Sequence, residues 1–164
     1  LAYAHNQQKE EAYSALNARK SYAAAAMGMM DVDEVRQRDF DMLSARNEAW
    51  YHILFGEYDK AEEQLAKLHS IASTIQSPSA LDDYNALSGM VRLFSGDAQG
   101  ALNYFKENIN PENYIYYGYF KGLALKGTGE NAKASAIFNY IANYNFNRWG
   151  AALVRSLAIK QLES

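Results

Sequence analysis

Cysteine is absent from the 164 residues of this chain, and with it go disulfides, thiolate nucleophiles and thiolate-bound metal. Proline is scarce: Pro78 and Pro111 are the only two, so most of the chain meets no obstacle to helix formation. Long apolar runs are missing too. The longest, residues 22–30, is built mostly from alanine and is far shorter than the about 20 residues a helix needs to cross a bilayer, so membrane insertion is not expected. Basic clusters are lacking as well, because 16 Lys and Arg are scattered among 19 Asp and Glu for a net charge of −3. A phosphate backbone needs a concentrated cationic track, which puts nucleic acid outside the expected partners.

Signatures of catalysis and cofactor binding are equally thin. His5, His52 and His69 show no His-Glu-x-x-His or comparable ligand spacing. Asp31, Asp33 and Glu34 lack the alternating acidic loop of a calcium site, and Asp31 with Glu34 three residues on has the form of a capping box. Met27-Gly28-Met29-Met30 offers soft thioethers, but a methionine cluster at a helix end reads first as packing. Lys126-Gly127-Thr128-Gly129 has the composition of a phosphate loop without the strand that would precede one, and no Gly-x-Ser-x-Gly element occurs. The expectation is a protein without enzymatic activity, cofactor or metal.

What the chain does contain is self-similarity. Hydrophobic residues make up 49% and charged residues 21%, the balance of an ordinary folded domain. Within that composition, Gly56 precedes Ala61, Gly96 precedes Ala101 and Gly129 precedes Ala134 by the same five residues. Each alanine is followed four residues on by a large apolar side chain, Leu65, Phe105 and Phe138. Each glycine is preceded at minus seven by a small residue, Ala49, Gly89 and Gly122. A helix stopped by glycine, a tight turn and a second helix whose early alanine permits close approach make a helical hairpin, and repeated hairpins stack. Ser77-Pro78 and Asn110-Pro111, 33 residues apart, repeat an N-cap and first-turn signal at the same spacing as the later two glycines.

The turn glycines lie 40 and 33 residues apart, against a 34-residue period in tetratricopeptide repeats. The segments 49–61, 89–101 and 122–134, with their small, Gly and Ala columns, resemble that family over residues 42–142. The resemblance implies an all-α fold of antiparallel hairpins stacked as a right-handed solenoid, in a single domain spanning 1–164. Residues 1–41 then form an N-terminal helical region and 143–164 a capping helix. Helices are expected at about 5–27, 31–55, 58–75, 79–95, 97–108, 112–127, 130–143 and 147–162. Ala12 and Leu16 are spaced like the second helix of a hairpin, and Trp149, Leu153 and Leu157 share one face of the last helix. The aromatic run 113–120 has rings on all sides of a helix, as a buried segment does.

The family's ligand groove is lined by the first helix of each hairpin. By that resemblance, Arg46, Trp50, Ile53, Met90, Tyr116, Tyr119, Leu123 and Lys126 are the candidate partner-binding residues, with Leu43 and Asp83 joining the wall. An aromatic and aliphatic wall with basic residues at its ends suits a peptide or protein segment. The expected function is a non-enzymatic scaffold for protein–protein interaction. The alternatives are a regulatory or substrate-docking segment of a larger enzyme or signalling protein, and a homo-oligomerisation module. Ala2-Tyr3-Ala4 has the small-x-small form of a signal-peptidase site, so the reading leaves a cytoplasmic and an exported location equally open.

Overall fold

A computed structural model describes residues 1–106 and 109–163. Among them there are nine helices and no strand: α1 (Ala2–His5), α2 (Lys9–Gly28), α3 (Glu34–Leu54), α4 (Tyr58–Ala72), α5 (Asp82–Phe94), α6 (Ala98–Tyr104), α7 (Ile115–Gly127), α8 (Asn131–Ala142) and α9 (Trp149–Glu163). The chain divides into two compact units, Leu1–Leu87 and Ser88–Ser164. The first holds α1 to α4 and the start of α5. The second holds the rest of α5 and α6 to α9.

One turn is built repeatedly. Gly56, Gly96 and Gly129 have φ of 72°, 87° and 83°, the left-handed region that a Cβ disfavours. In each, the residue after the glycine donates its N–H to the carbonyl five positions back: Glu57 to His52 (2.8 Å), Asp97 to Arg92 (2.9 Å) and Glu130 to Leu125 (2.8 Å). The glycine N–H bonds the carbonyl three positions back, at Ile53, Leu93 and Lys126. This is the Schellman closure, which satisfies the last orphan carbonyls of the first helix. The next helix begins two residues beyond every glycine, at Tyr58, Ala98 and Asn131.

A fourth copy was not read from the sequence because its glycine is replaced. Gln7 has φ 59°, Gln8 donates to Tyr3 O (2.9 Å) and Gln7 to Ala4 O (3.1 Å). The helix after it opens two residues on, at Lys9. Ala12 and Leu16 are then buried, as their hairpin-like spacing implies. They pack with Ala4 and Tyr51, flanked by Leu1, Tyr13, Leu54 and Phe55.

The repeated columns are the packing. Ala61, Ala101 and Ala134 are fully or almost fully buried, as are Leu65, Phe105 and Phe138. A Cβ built on Gly89 would lie 2.8 Å from the Phe105 ring, and one on Gly122 would lie 2.7 Å from the Phe138 ring. The small residue seven before the turn is therefore the seat for the ring nine after it. On α4 the stripe Ala61, Leu65, Leu68 and Ala72 is buried, and on α7 Ile115 to Phe120 are all buried.

Several boundaries differ from the sequence expectation. Asp33, not Asp31, caps α3, its Oδ1 accepting from Arg36 N at 2.8 Å. Neither Pro78 nor Pro111 opens a helix. Each sits in a turn four residues ahead of one, with Asn110 Oδ1 accepting from Asn113 N at 3.0 Å. Pro111 seats against α7, where a Cβ on Gly118 would meet its backbone at 2.7 Å. The helix expected at 97–108 ends at Tyr104, and residues 107 and 108 lie outside the described residues.

On α9 the buried face is Gly150, Ala151, Val154 and Ala158. Leu153 and Leu157 are half-buried and Trp149 is 58% exposed. The small residues win the inward positions because they allow close approach: a Cβ on Gly150 would stand 2.9 Å from Ile115 Cγ2. Met29 and Met30 are exposed, so these two do not supply the packing expected of the methionine cluster.

The turn and the column beneath it are separately testable by chemical denaturation. Gln7→Gly removes a side chain from a left-handed position and is expected to raise stability by up to about 1 kcal/mol, part of the gain being offset by a freer unfolded chain. Ala134→Leu overfills a fully packed site and is expected to cost about 1–3 kcal/mol. An unchanged denaturation midpoint for Ala134→Leu would contradict the packing described.

Candidate functional site

The residue after each turn glycine is acidic, Glu57, Asp97 and Glu130, at the positive end of the helix that follows. Asp97 bonds Gly100 N at 2.7 Å and Glu130 pairs with Lys133. Glu57 does far more. Its Oε2 accepts from the Tyr13 hydroxyl at 2.5 Å and from His52 Nδ1 at 2.7 Å. Its Oε1 accepts from Lys9 and Lys60, each at 3.1 Å. Tyr13 Oη also lies 2.8 Å from His52 Nδ1. Because a carboxylate only accepts, the His52 tautomer that satisfies this geometry carries its proton on Nδ1.

Four donors on one carboxylate set its acidity. The Tyr13 hydroxyl first, then His52, hold the Glu57 carboxyl well below the usual carboxylate range, against a smaller opposing effect of burial, with Lys9 and Lys60 adding to the pull. Burial, then Glu57, pushes the Tyr13 hydroxyl above its ordinary value. A carboxylate so weakly basic, with both oxygens already paired, is poorly suited to taking a proton from a substrate. What the cluster does is tie α2, through Lys9 and Tyr13, to the turn between α3 and α4. The Tyr13 ring adds contacts to Tyr51, His52 and Phe55 with centroids 6.1, 5.8 and 5.5 Å away.

Beside this latch, unit 1 carries an open groove of about 710 Å³ walled by α2, α3 and α4. Lys20, Asp41 and Glu48 line it with Gln64, Lys67 and Ile71. Lys20 reaches across to Glu48 at 2.5 Å, and Ser44 donates to the same carboxylate at 3.2 Å. Lys67 donates to Gln64 at 3.3 Å. The walls thus present both charges, one side-chain amide at Gln64 and the aliphatic Ala45, Ala66 and Ile71, a mixed lining that fits a polypeptide better than a purely apolar molecule.

The eight candidate residues fall into two groups. Trp50, Ile53, Met90, Tyr116 and Tyr119 are 0–5% exposed. Their side chains pack within the helices, Tyr119 against Phe138 with centroids 5.8 Å apart and Tyr116 against Trp149 at 5.6 Å. Arg46, Leu123 and Lys126 are half-buried. Arg46 reaches Asp83 at 3.1 Å and Asn47 at 3.3 Å, so two residues expected on one wall are brought together. Lys126 donates to Gln161 at 3.1 Å. Tyr13 and Glu57 were not among the candidates. The acidic column after the turn was a visible signal, whereas the approach of Tyr13 was not.

Among the described residues no three His, Asp or Glu side chains converge as metal ligands, and no helix is long and apolar enough to cross a membrane. In comparisons with known proteins, no family model, curated protein or solved structure matches this chain.

The latch predicts a pH signature. A carboxyl whose folded value lies below its ordinary 4.5 contributes stability that is complete above pH 4.5 and is lost as pH falls toward the folded value. Tyr13, raised in the fold, contributes stability that is lost as pH climbs past its ordinary 10.0. Glu57→Gln is expected to cost about 1–3 kcal/mol near neutrality and to flatten the acid limb of melting temperature against pH. Parallel acid limbs for parent and variant would rule the latch out.

Proposed function

We propose that this chain is a helical-repeat scaffold of the tetratricopeptide kind, a right-handed solenoid that binds a polypeptide segment without acting on it chemically. The observation that carries this reading is the repetition itself. One left-handed turn closed by one hydrogen-bond pattern recurs four times, and a small residue seating an aromatic ring recurs at Gly89 and Gly122. Architectures that repeat a two-helix unit present long continuous surfaces, and such surfaces suit extended ligands. The most elaborate polar cluster, around Glu57, is consumed in holding helices together. Arg46 in unit 1, and Leu123 and Lys126 in unit 2, keep part of their surface and remain candidates for contact, each within its own unit, while Trp50, Ile53, Met90, Tyr116 and Tyr119 are buried.

The groove of unit 1 is the clearest place to test the reading, because it is open and its lining sets both charges beside aliphatic side chains. A photo-crosslinking side chain at exposed Lys67 is expected to yield polypeptide adducts when the protein is irradiated in cells. With the crosslinker moved to exposed Glu63, Lys67→Glu is expected to reduce those adducts about tenfold, the effect of losing one good interface contact, with melting unchanged. A protein that yields no polypeptide adduct, or whose adducts are indifferent to the charge reversal, would rule out this groove as the binding surface.

A further inference from the structure

The end of α8, the turn after it and the start of α9 in unit 2 carry exposed rings. Phe146 is 75% exposed, Trp149 58% and Tyr140 37%. Tyr140, Tyr144, Phe146 and Arg148 form a strip: Tyr140 lies 6.0 Å from Tyr144 between centroids, Tyr144 lies 5.7 Å from Phe146, and the Arg148 guanidinium rests 5.8 Å from the Tyr144 ring, while Trp149, next in sequence, stands at the start of α9 against Tyr116. Packed monomer surfaces rarely leave several large rings together in water without a use for them.

The strip is held in place rather than left loose. Arg155, on α9, donates from Nε to Ala142 O at 3.1 Å and from Nη2 to the carbonyl of Tyr144 and to Asn145 Oδ1. Three acceptors, one at the end of α8 and two in the segment after it, are thereby pinned to one guanidinium. Rings positioned before a ligand arrives lose little freedom on binding, which is where much of the cost of association otherwise lies.

Charge selects the occupant. Residues 131–162 contain Lys133, Arg148, Arg155 and Lys160 and no Asp or Glu, in a chain whose net charge is −3. Recognition of an anionic bilayer rests on clusters of about four to eight basic residues, and single-stranded nucleic acid needs a basic track along its backbone. Here one guanidinium lies on the rings and a second is committed to backbone carbonyls. That is too little cation for either polyanion. It is suited to a few carboxylates set beside a hydrophobic anchor, and Tyr, Trp and Arg are the residues enriched at such anchor sites.

We infer that the strip formed by Tyr140, Tyr144, Phe146 and Arg148 is a docking surface for an acidic polypeptide segment bearing an aromatic or large aliphatic side chain. This rests on the reading of the chain as a peptide-binding scaffold and gives it a second surface, separate in sequence from the groove of unit 1. The carboxylates meet Arg148, and the anchor side chain lies against Phe146.

The probes are a synthetic peptide of glutamates interrupted by phenylalanine and leucine, its lysine counterpart, and phosphatidylserine vesicles. Trp149 fluorescence reads binding, since Trp50 is 3% exposed and senses solvent little. The acidic peptide is expected to bind, to weaken as salt rises, and to lose about tenfold or more in affinity with Phe146→Ser and with Arg148→Glu. Both side chains are exposed, so the variants should melt like the parent. Equal binding of the lysine peptide, binding that survives both substitutions, or stronger uptake by the vesicles overturns this surface and leaves the scaffold reading standing. Failure of the acidic peptide to bind at all also overturns it, while absence of polypeptide adducts from crosslinkers at the unit 1 groove and at Asn147 together would sink the scaffold reading.

Discussion

A single residue forced into left-handed backbone conformation governs each hairpin in this chain. Once that residue turns the chain, the carbonyl of the third-last position finds the N–H beyond the turn, and the second helix must start two residues later. Everything downstream is then in register. The alanine five residues on faces the first helix, and the large side chain four further along reaches back to the small residue seven before the turn. At Gly89 and Gly122 the absence of a Cβ is what gives the ring its seat. Hydrogen-bond closure and core packing are thus two consequences of one torsion angle.

Gln7 shows that the constraint belongs to the backbone and not to glycine. Its turn closes with the same pair of hydrogen bonds as the others, at the steric cost of a side chain in the left-handed region. That cost is met locally. Ala4, Ala12, Leu16 and Tyr51 make an apolar cluster around the turn, and Lys9 and Tyr13 add hydrogen bonds to Glu57. Tertiary contacts in unit 1 therefore hold a turn that propensity alone would not choose.

Polar chemistry follows the same geometry. An acidic residue after each turn sits at the start of a helix, where the macrodipole favours it, and its further role depends on what else approaches. Asp97 finds a backbone N–H, Glu130 a neighbouring lysine, and Glu57 a tyrosine, a histidine and two lysines. The same local position yields a cap, a surface pair or a half-buried latch. Exposed surface is left where packing has no claim on it: the two-signed groove of unit 1 and the ring strip of unit 2.

What the sequence determined by itself was whatever depends on short spacing. All-helical structure, three of the four turns, the buried Ala column and the stripe on α4 were legible, because glycine torsion and helical period act within a few residues. The two prolines read as helix starts, whereas each stands in a turn four residues ahead of one, and at Pro111 that depends on how it meets Gly118. The latch at Glu57 was half-legible: the acid stood in a repeated column, but its partner Tyr13 lies 44 residues away. Burial of Trp50 and exposure of Trp149 could not be read at all. Both rings sit on helices at plausible inward positions, and only the tertiary structure decides which face a neighbour covers. On α9 that decision went to Gly150 and Ala158, because backbone approach is limited by the smallest side chains available.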